Sequence, residues 1–167
     1  MLERCVTDAG GSYLFCDTDS LCIVSSKDGK LVPCADGPQT KFLSWKNVKR
    51  IADRFTALNP YDRKAVPGSI LKIEDVNSDS ACHQRQLHGY AISAKRYARY
   101  ERNKNHLSIV DPKAHGLGYL FPPKSRKKEE PEWTCEAWDW LLRGAFGLPR
   151  KAPAWFDLSA MSDLASG

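Results

Sequence analysis

Asp17 and Asp19 stand two residues apart in Cys16-Asp17-Thr18-Asp19-Ser20, between the apolar runs Tyr13-Leu14-Phe15 and Leu21-Cys22-Ile23-Val24. Two carboxylates on a short rigid turn offer oxygen ligands to a hard divalent ion such as magnesium. A second group of chemistry-bearing residues lies in 95–102, where Lys95, Arg96, Arg99 and Arg102 alternate with Tyr97 and Tyr100 and Glu101 is the one acid. Cations interleaved with amphipathic rings suit the phosphate backbone or groove edge of a duplex. Each group also has a plainer reading. Asp-Thr-Asp-Ser is ordinary turn chemistry, because Asp and Ser bond their own backbone. Basic residues likewise protect an edge strand against aggregation. An EF-hand is excluded, since the fifth, sixth and twelfth loop positions would be Leu21, Cys22 and Asp28.

The flanking elements must hold these groups in place. Phe, Tyr, Ile, Val and Thr favour strands, so Tyr13–Cys16 and 21–24 predict a tight antiparallel hairpin with both acids at its tip. Upstream, residues 1–8 predict a helix with Leu2, Cys5 and Val6 on one face, ended by Gly10-Gly11. Ser44 caps a helix to about Leu58, with Val48, Ile51, Ala52 and Phe55 as its apolar stripe, and Asn59-Pro60 stops it. Its other face carries Lys46, Lys49, Arg50, Asp53 and Arg54, to be read as a solvated face or as phosphate contacts. A strand is expected over 69–76, a polar loop over 77–86, and a β-meander over 87–94, 95–102 and 106–110. In that extended segment Lys95, Tyr97 and Arg99 would project together. Residues 111–118 are rich in turn signals, and the basic and acidic blocks around Lys124 to Glu132 read as a solvated linker. Thr134 is expected to cap a last helix with Trp138, Leu141, Leu142, Ala145 and Phe146 as its stripe, ended by Gly147-Leu148-Pro149.

Phe15-Cys16-Asp17-Thr18-Asp19-Ser20-Leu21 resembles the catalytic hairpin of family B DNA polymerases, usually Tyr-Gly-Asp-Thr-Asp-Ser, with Phe for Tyr and Cys for Gly. Ala94-Lys95-Arg96-Tyr97 resembles the family's Lys-Lys-Arg-Tyr motif, which grips the primer–template duplex, with Ala in place of the first Lys. Ser69-Ile70-Leu71-Lys72-Ile73-Glu74 is similar to the strand between them. The resemblance implies nucleotidyl transfer, in which a primer 3′-hydroxyl attacks the α-phosphate of a dNTP and releases pyrophosphate, assisted by two Mg2+ ions. It assigns Asp19 as principal metal ligand and Asp17 as the weaker one, and Lys95, Arg96 and Tyr97 to primer–template DNA. The family also draws a third carboxylate from Asp-x-x-Ser-Leu-Tyr-Pro-Ser and binds triphosphate through Asn-Ser-x-Tyr-Gly, and neither motif occurs in this sequence. The implied partners therefore include an upstream polymerase portion, Met1 reads as an internal residue of a longer enzyme, and the 167-residue chain alone is expected to be inactive. The alternative is a free-standing nucleic-acid-binding module that keeps the palm fold without catalysis.

Composition agrees with a folded chain: 42% of residues are hydrophobic and 27% charged, which excludes a disordered polyelectrolyte. The net charge of +5 permits polyanion binding. No apolar run approaches the roughly 18 residues of a membrane span, and no signal-peptide layout opens the chain, so a cytoplasmic or nucleoid-associated protein without a membrane partner is expected. The six cysteines include no C-x-x-C pair and read as reduced thiols, and Cys82-His83 reads as part of a polar loop rather than a metal site. The expected fold is α+β, with an antiparallel palm-type sheet and helices on one face over 1–110. A linker and a small thumb-like helical region are expected over 111–167.

Overall fold

The computed structural model describes residues 1–34, 37–65, 67–103, 106–116 and 131–153. Their fold is α+β. The chain divides into two compact units, Met1–Lys95 and Arg96–Gly167, so the division falls before the basic strand rather than near residue 110.

The first unit opens with α1 (Leu2–Asp8), which buries Val6 completely. Gly10 at φ +72° ends it, and the amides of Gly10 and Gly11 reach back to the carbonyls of Thr7 and Val6, a Schellman closure that satisfies the last turn. Next come β1 (Tyr13–Cys16) and β2 (Leu21–Ile23), paired antiparallel as the hairpin predicted from the residue types. Short strands follow: β3 (Ser25–Ser26) lies parallel to β6 (Leu43–Ser44), and β4 (Leu31–Cys34) antiparallel to β5 (Gly37–Lys41). Helix α2 (Trp45–Arg54) begins where expected, its first turn capped by Ser44 Oγ accepting from the Asn47 amide at 3.2 Å. It tightens into a 3-10 turn over Phe55–Leu58 before Pro60. Leu43, Ile51 and Phe55 join Val6 in a small core, with Leu2, Cys5, Leu21, Ile23, Val48 and Leu71 packed around it. Burying each large apolar side chain there contributes about 1.5–3 kcal/mol.

The strand expected over 69–76 is not formed. Ser69 Oγ donates to the Ala52 carbonyl and accepts from the Leu71 amide, and a single 3-10 turn follows at Asp75–Asn77. Leu71 alone packs into the core, while Ile70 and Ile73 stay exposed. The loop over 77–86 is present, organised by Asp79, whose Oδ1 accepts from the Ala81 and His83 amides. Strand β7 (His88–Ser93) closes the unit against β1.

In the second unit β8 (Arg96–Asn103) pairs antiparallel with β9 (His106–Ala114), with a bulge at Arg99/Tyr100. Strand β9 runs on through Asp111 and Pro112 where turns were expected. Its pairing with β8 covers Arg99↔Asp111 and Ala98↔Pro112, and a strand edge tolerates a proline. Helix α3 (Pro131–Ala145) starts three residues before the expected Thr134 cap, with Pro at a position whose amide a helix leaves unpaired. Trp138 and Leu142 are buried with Ala98, Tyr100 and Leu107, while Ile109 and Phe146 pack against them. Leu141 and Ala145, assigned to the stripe from spacing, are exposed. The indole Nε1 of Trp138 donates to the Lys113 carbonyl at 3.1 Å, tying α3 to β9. The expected linker around Lys124 and the chain past Pro153 lie outside the described residues.

Candidate functional site

The hairpin tip is built by local rules. Cys16 pairs with Leu21, and the Asp17 amide donates to the Ser20 carbonyl at 2.9 Å, closing the four-residue loop. Asp17 Oδ1 accepts from the Thr18 amide at 2.8 Å and from the Thr18 hydroxyl at 3.3 Å, so one carboxylate oxygen is spent on the turn itself. Asp19 is exposed. One residue of β1 is bulged between Tyr13 and Phe15, which re-aims the strand as it enters the tip.

The other oxygen of Asp17 is held from far along the chain. Lys95 Nζ donates to Asp17 Oδ2 at 2.9 Å across a sequence separation of 78 residues. The contact depends on β7 lying against β1. Gly89 faces Leu14 there, and a Cβ at that position would sit 2.5 Å from Leu14 Cδ2 and oblige that side chain to shift. Lys95 occupies the turn after β7 rather than a strand position, so it does not share a strand face with Tyr97 and Arg99 as the alternation predicted. The Lys95 ammonium, and after it the Thr18 amide, hold the Asp17 carboxyl below the ordinary aspartate range, with partial burial opposing them.

The rest of the basic segment serves the second unit. Arg96 Nε donates to the His115 carbonyl at 3.3 Å and the side chain stays exposed. Tyr97 is only 9% exposed, with the Arg99 guanidinium 5.9 Å from its ring centroid. Arg99 Nε and Nη2 reach Asp111 Oδ2 at 2.9 and 2.6 Å, and Lys113 Nζ lies 3.2 Å from Asp111 Oδ1. Tyr97 and Arg99 are therefore engaged in packing and ion pairing within the second unit. Sequence reasoning missed Asp111, whose Asp-Pro context looks like a turn. The available signal was the alternation of 106–110, which continues past Pro112 once a strand edge is allowed.

Chemically, the tip holds one exposed acid, Asp19, and one partly buried acid, Asp17, with one ammonium beside it. It fits a hard cation in part: Asp17 and Asp19 supply oxygen donors, but one Asp17 oxygen is taken by the turn and the other by Lys95. Among the described residues no cluster of three or more His, Cys, Asp or Glu side chains could enclose an ion. Cys5, Cys16, Cys22, Cys82 and Cys135 form no disulfide among the described residues. Among the described residues no helix is long and apolar enough to cross a membrane. No protein-family model, curated protein or solved structure matches the chain.

Proposed function

We propose that this chain is the C-terminal palm and thumb portion of a family B DNA-directed DNA polymerase, extending a DNA primer with dNTPs once an upstream portion supplies the third carboxylate and the triphosphate-binding helix. The observation that carries the reading is the 2.9 Å contact between Lys95 and Asp17. It joins two motifs that resemble one family, in the same order, and that have no local reason to meet. Either motif alone is a turn or a basic strand.

Magnesium, when bound, would supply charge neutralisation for the attacking and leaving oxygens. The chain's own residues do three things. The hairpin fixes Asp17 and Asp19 on one rigid loop. Lys95 orients the Asp17 carboxylate. A primer phosphate gripped by Lys95 would arrive close to the carboxylates, which is the positioning that such a transfer requires. The second reading, a nucleic-acid-binding module without catalysis, draws its specific support from the two oxygens of Asp17, one accepting from the Thr18 amide and the other from Lys95.

The test is recovery of the native protein from its own cells with an antibody against 133–146, followed by primer extension on a primed template. The expected result is dNTP incorporation by a polypeptide or complex larger than 18.8 kDa, no incorporation by the 167-residue chain alone, and loss to background on Asp19→Asn. A native protein of 18.8 kDa that binds duplex and incorporates nothing, alone or with its bound partners, would establish the module reading instead.

A further inference from the structure

The exposed face of α2 carries four cations and one acid, Lys46, Lys49, Arg50 and Arg54 with Asp53. Residues 41–64 hold seven cations and two acids, an excess equal to the +5 of the whole chain. Lys46, Lys49, Arg50 and Arg54 lie at helical spacing on the side opposite Val48, Ile51 and Phe55, and all four are exposed. Elsewhere among the described residues several cations take carboxylate partners: Arg4 with Asp8, Lys72 with Asp75, Lys95 with Asp17, Arg99 and Lys113 with Asp111, and Arg143 with Asp139. The four α2 cations have no such partner among the described residues, although Asp53 shares their face. Like charges three and four residues apart on a helix repel one another, so the stripe is kept against a local cost.

We propose that this α2 face docks the phosphate backbone of a nucleic-acid duplex. Lys46 to Arg54 spans about 12 Å of helix, enough to follow about three phosphates of one strand at roughly 3.4 Å each along the duplex axis. The opposite face is committed to the core through Ile51 and Phe55, so α2 has no free apolar side to sink into a lipid headgroup layer. None of the four residues belongs to the hairpin or the Lys-Arg-Tyr segment, so the surface stands whether or not the hairpin is catalytic.

The experiment compares the full chain with a Lys46→Gln, Lys49→Gln, Arg50→Gln, Arg54→Gln variant. Glutamine keeps helix propensity, and circular dichroism verifies folding. Duplex DNA binding is followed by fluorescence anisotropy between about 50 and 200 mM salt, and the variant should bind at least about tenfold more weakly, with its log–log salt slope shallower by about 3. Equal affinity and slope in the two proteins would overturn the proposal, as would absence of duplex binding by the wild type at the lowest salt. Should the substitutions instead abolish binding to phosphatidylserine vesicles while leaving DNA binding intact, the face belongs to a membrane surface and the proposal falls. If the variant misfolds, Arg50→Gln alone, expected to lower the slope by about 1, gives the same decision. Mn2+ binding at the hairpin, measured in parallel on the same variant, should match the wild type. Failure of the hairpin reading is thereby kept separate from failure of this one.

Discussion

Two ion pairs drawn from one basic segment, Lys95–Asp17 and Arg99–Asp111, look alike in sequence and differ in kind. The side chains of Arg99 and Asp111 are 12% and 14% exposed, the guanidinium contacts one oxygen through two nitrogens, and the pair sits across two hydrogen-bonded strands. The side chains of Lys95 and Asp17 are 56% and 24% exposed and meet through a single contact at a hairpin tip. A largely buried pair is costly to split, because removing one partner leaves a charge out of water. An exposed pair is screened and contributes little to stability, so its partners remain free to exchange for other ligands. Burial therefore separates a structural cation from an available one, only four residues apart in the chain.

The sharpest way to break this contrast is Arg99→Ala. It leaves Asp111 with only the half-exposed Lys113 as counter-charge and should cost about 2 kcal/mol in urea unfolding followed by tryptophan fluorescence. A loss no larger than that of a typical surface substitution would mean that the two pairs do not differ as described. A middle-sized effect is expected for Ser44→Ala, which removes the cap of the helix bearing the unpaired cations. It should cost about 1 kcal/mol by the same measurement, and it should weaken duplex binding far less than removal of the cations themselves.

The smallest stability effect belongs to Lys95→Gln, which should unfold like the wild type near neutral pH. Its signature is instead in titration. The Asp17 carboxyl, held low chiefly by Lys95, should rise toward the ordinary aspartate range when followed by carbon NMR. Because the folded-state value is depressed, the associated stability is present above the unfolded value and is lost as pH falls through the folded one. The wild type and Lys95→Gln should therefore unfold alike in acid, and at higher pH they differ by no more than a typical exposed ion pair contributes. An unmoved Asp17 titration would show that Lys95 is not its controlling neighbour.

Much was legible from local rules. Ser44 as a cap, Gly10 as a helix stop, the strand pair around Asp17-Thr18-Asp19-Ser20 and the buried Val6, Ile51 and Phe55 all follow from residue type and period over a few positions. The strand expected over 69–76 failed because apolar content alone does not make a strand. Without a neighbouring ladder its backbone is satisfied by Ser69 and a local turn. The opposite error occurred at Asp111-Pro112, where turn-type residues were absorbed by pairing with β8.

The sequence by itself determined the helix caps and the hairpin, together with the placing of two acids at its tip, since these depend on contacts between near neighbours. Only the tertiary structure decided which cation reaches Asp17, that Tyr97 and Arg99 are drawn into packing, and that Asp111 is the counter-charge of Arg99. The reason is physical: such contacts are set by strands brought side by side across long separations, through close approaches such as Gly89 on Leu14, and by burial that converts one cation of a run into structure while leaving its neighbour exposed.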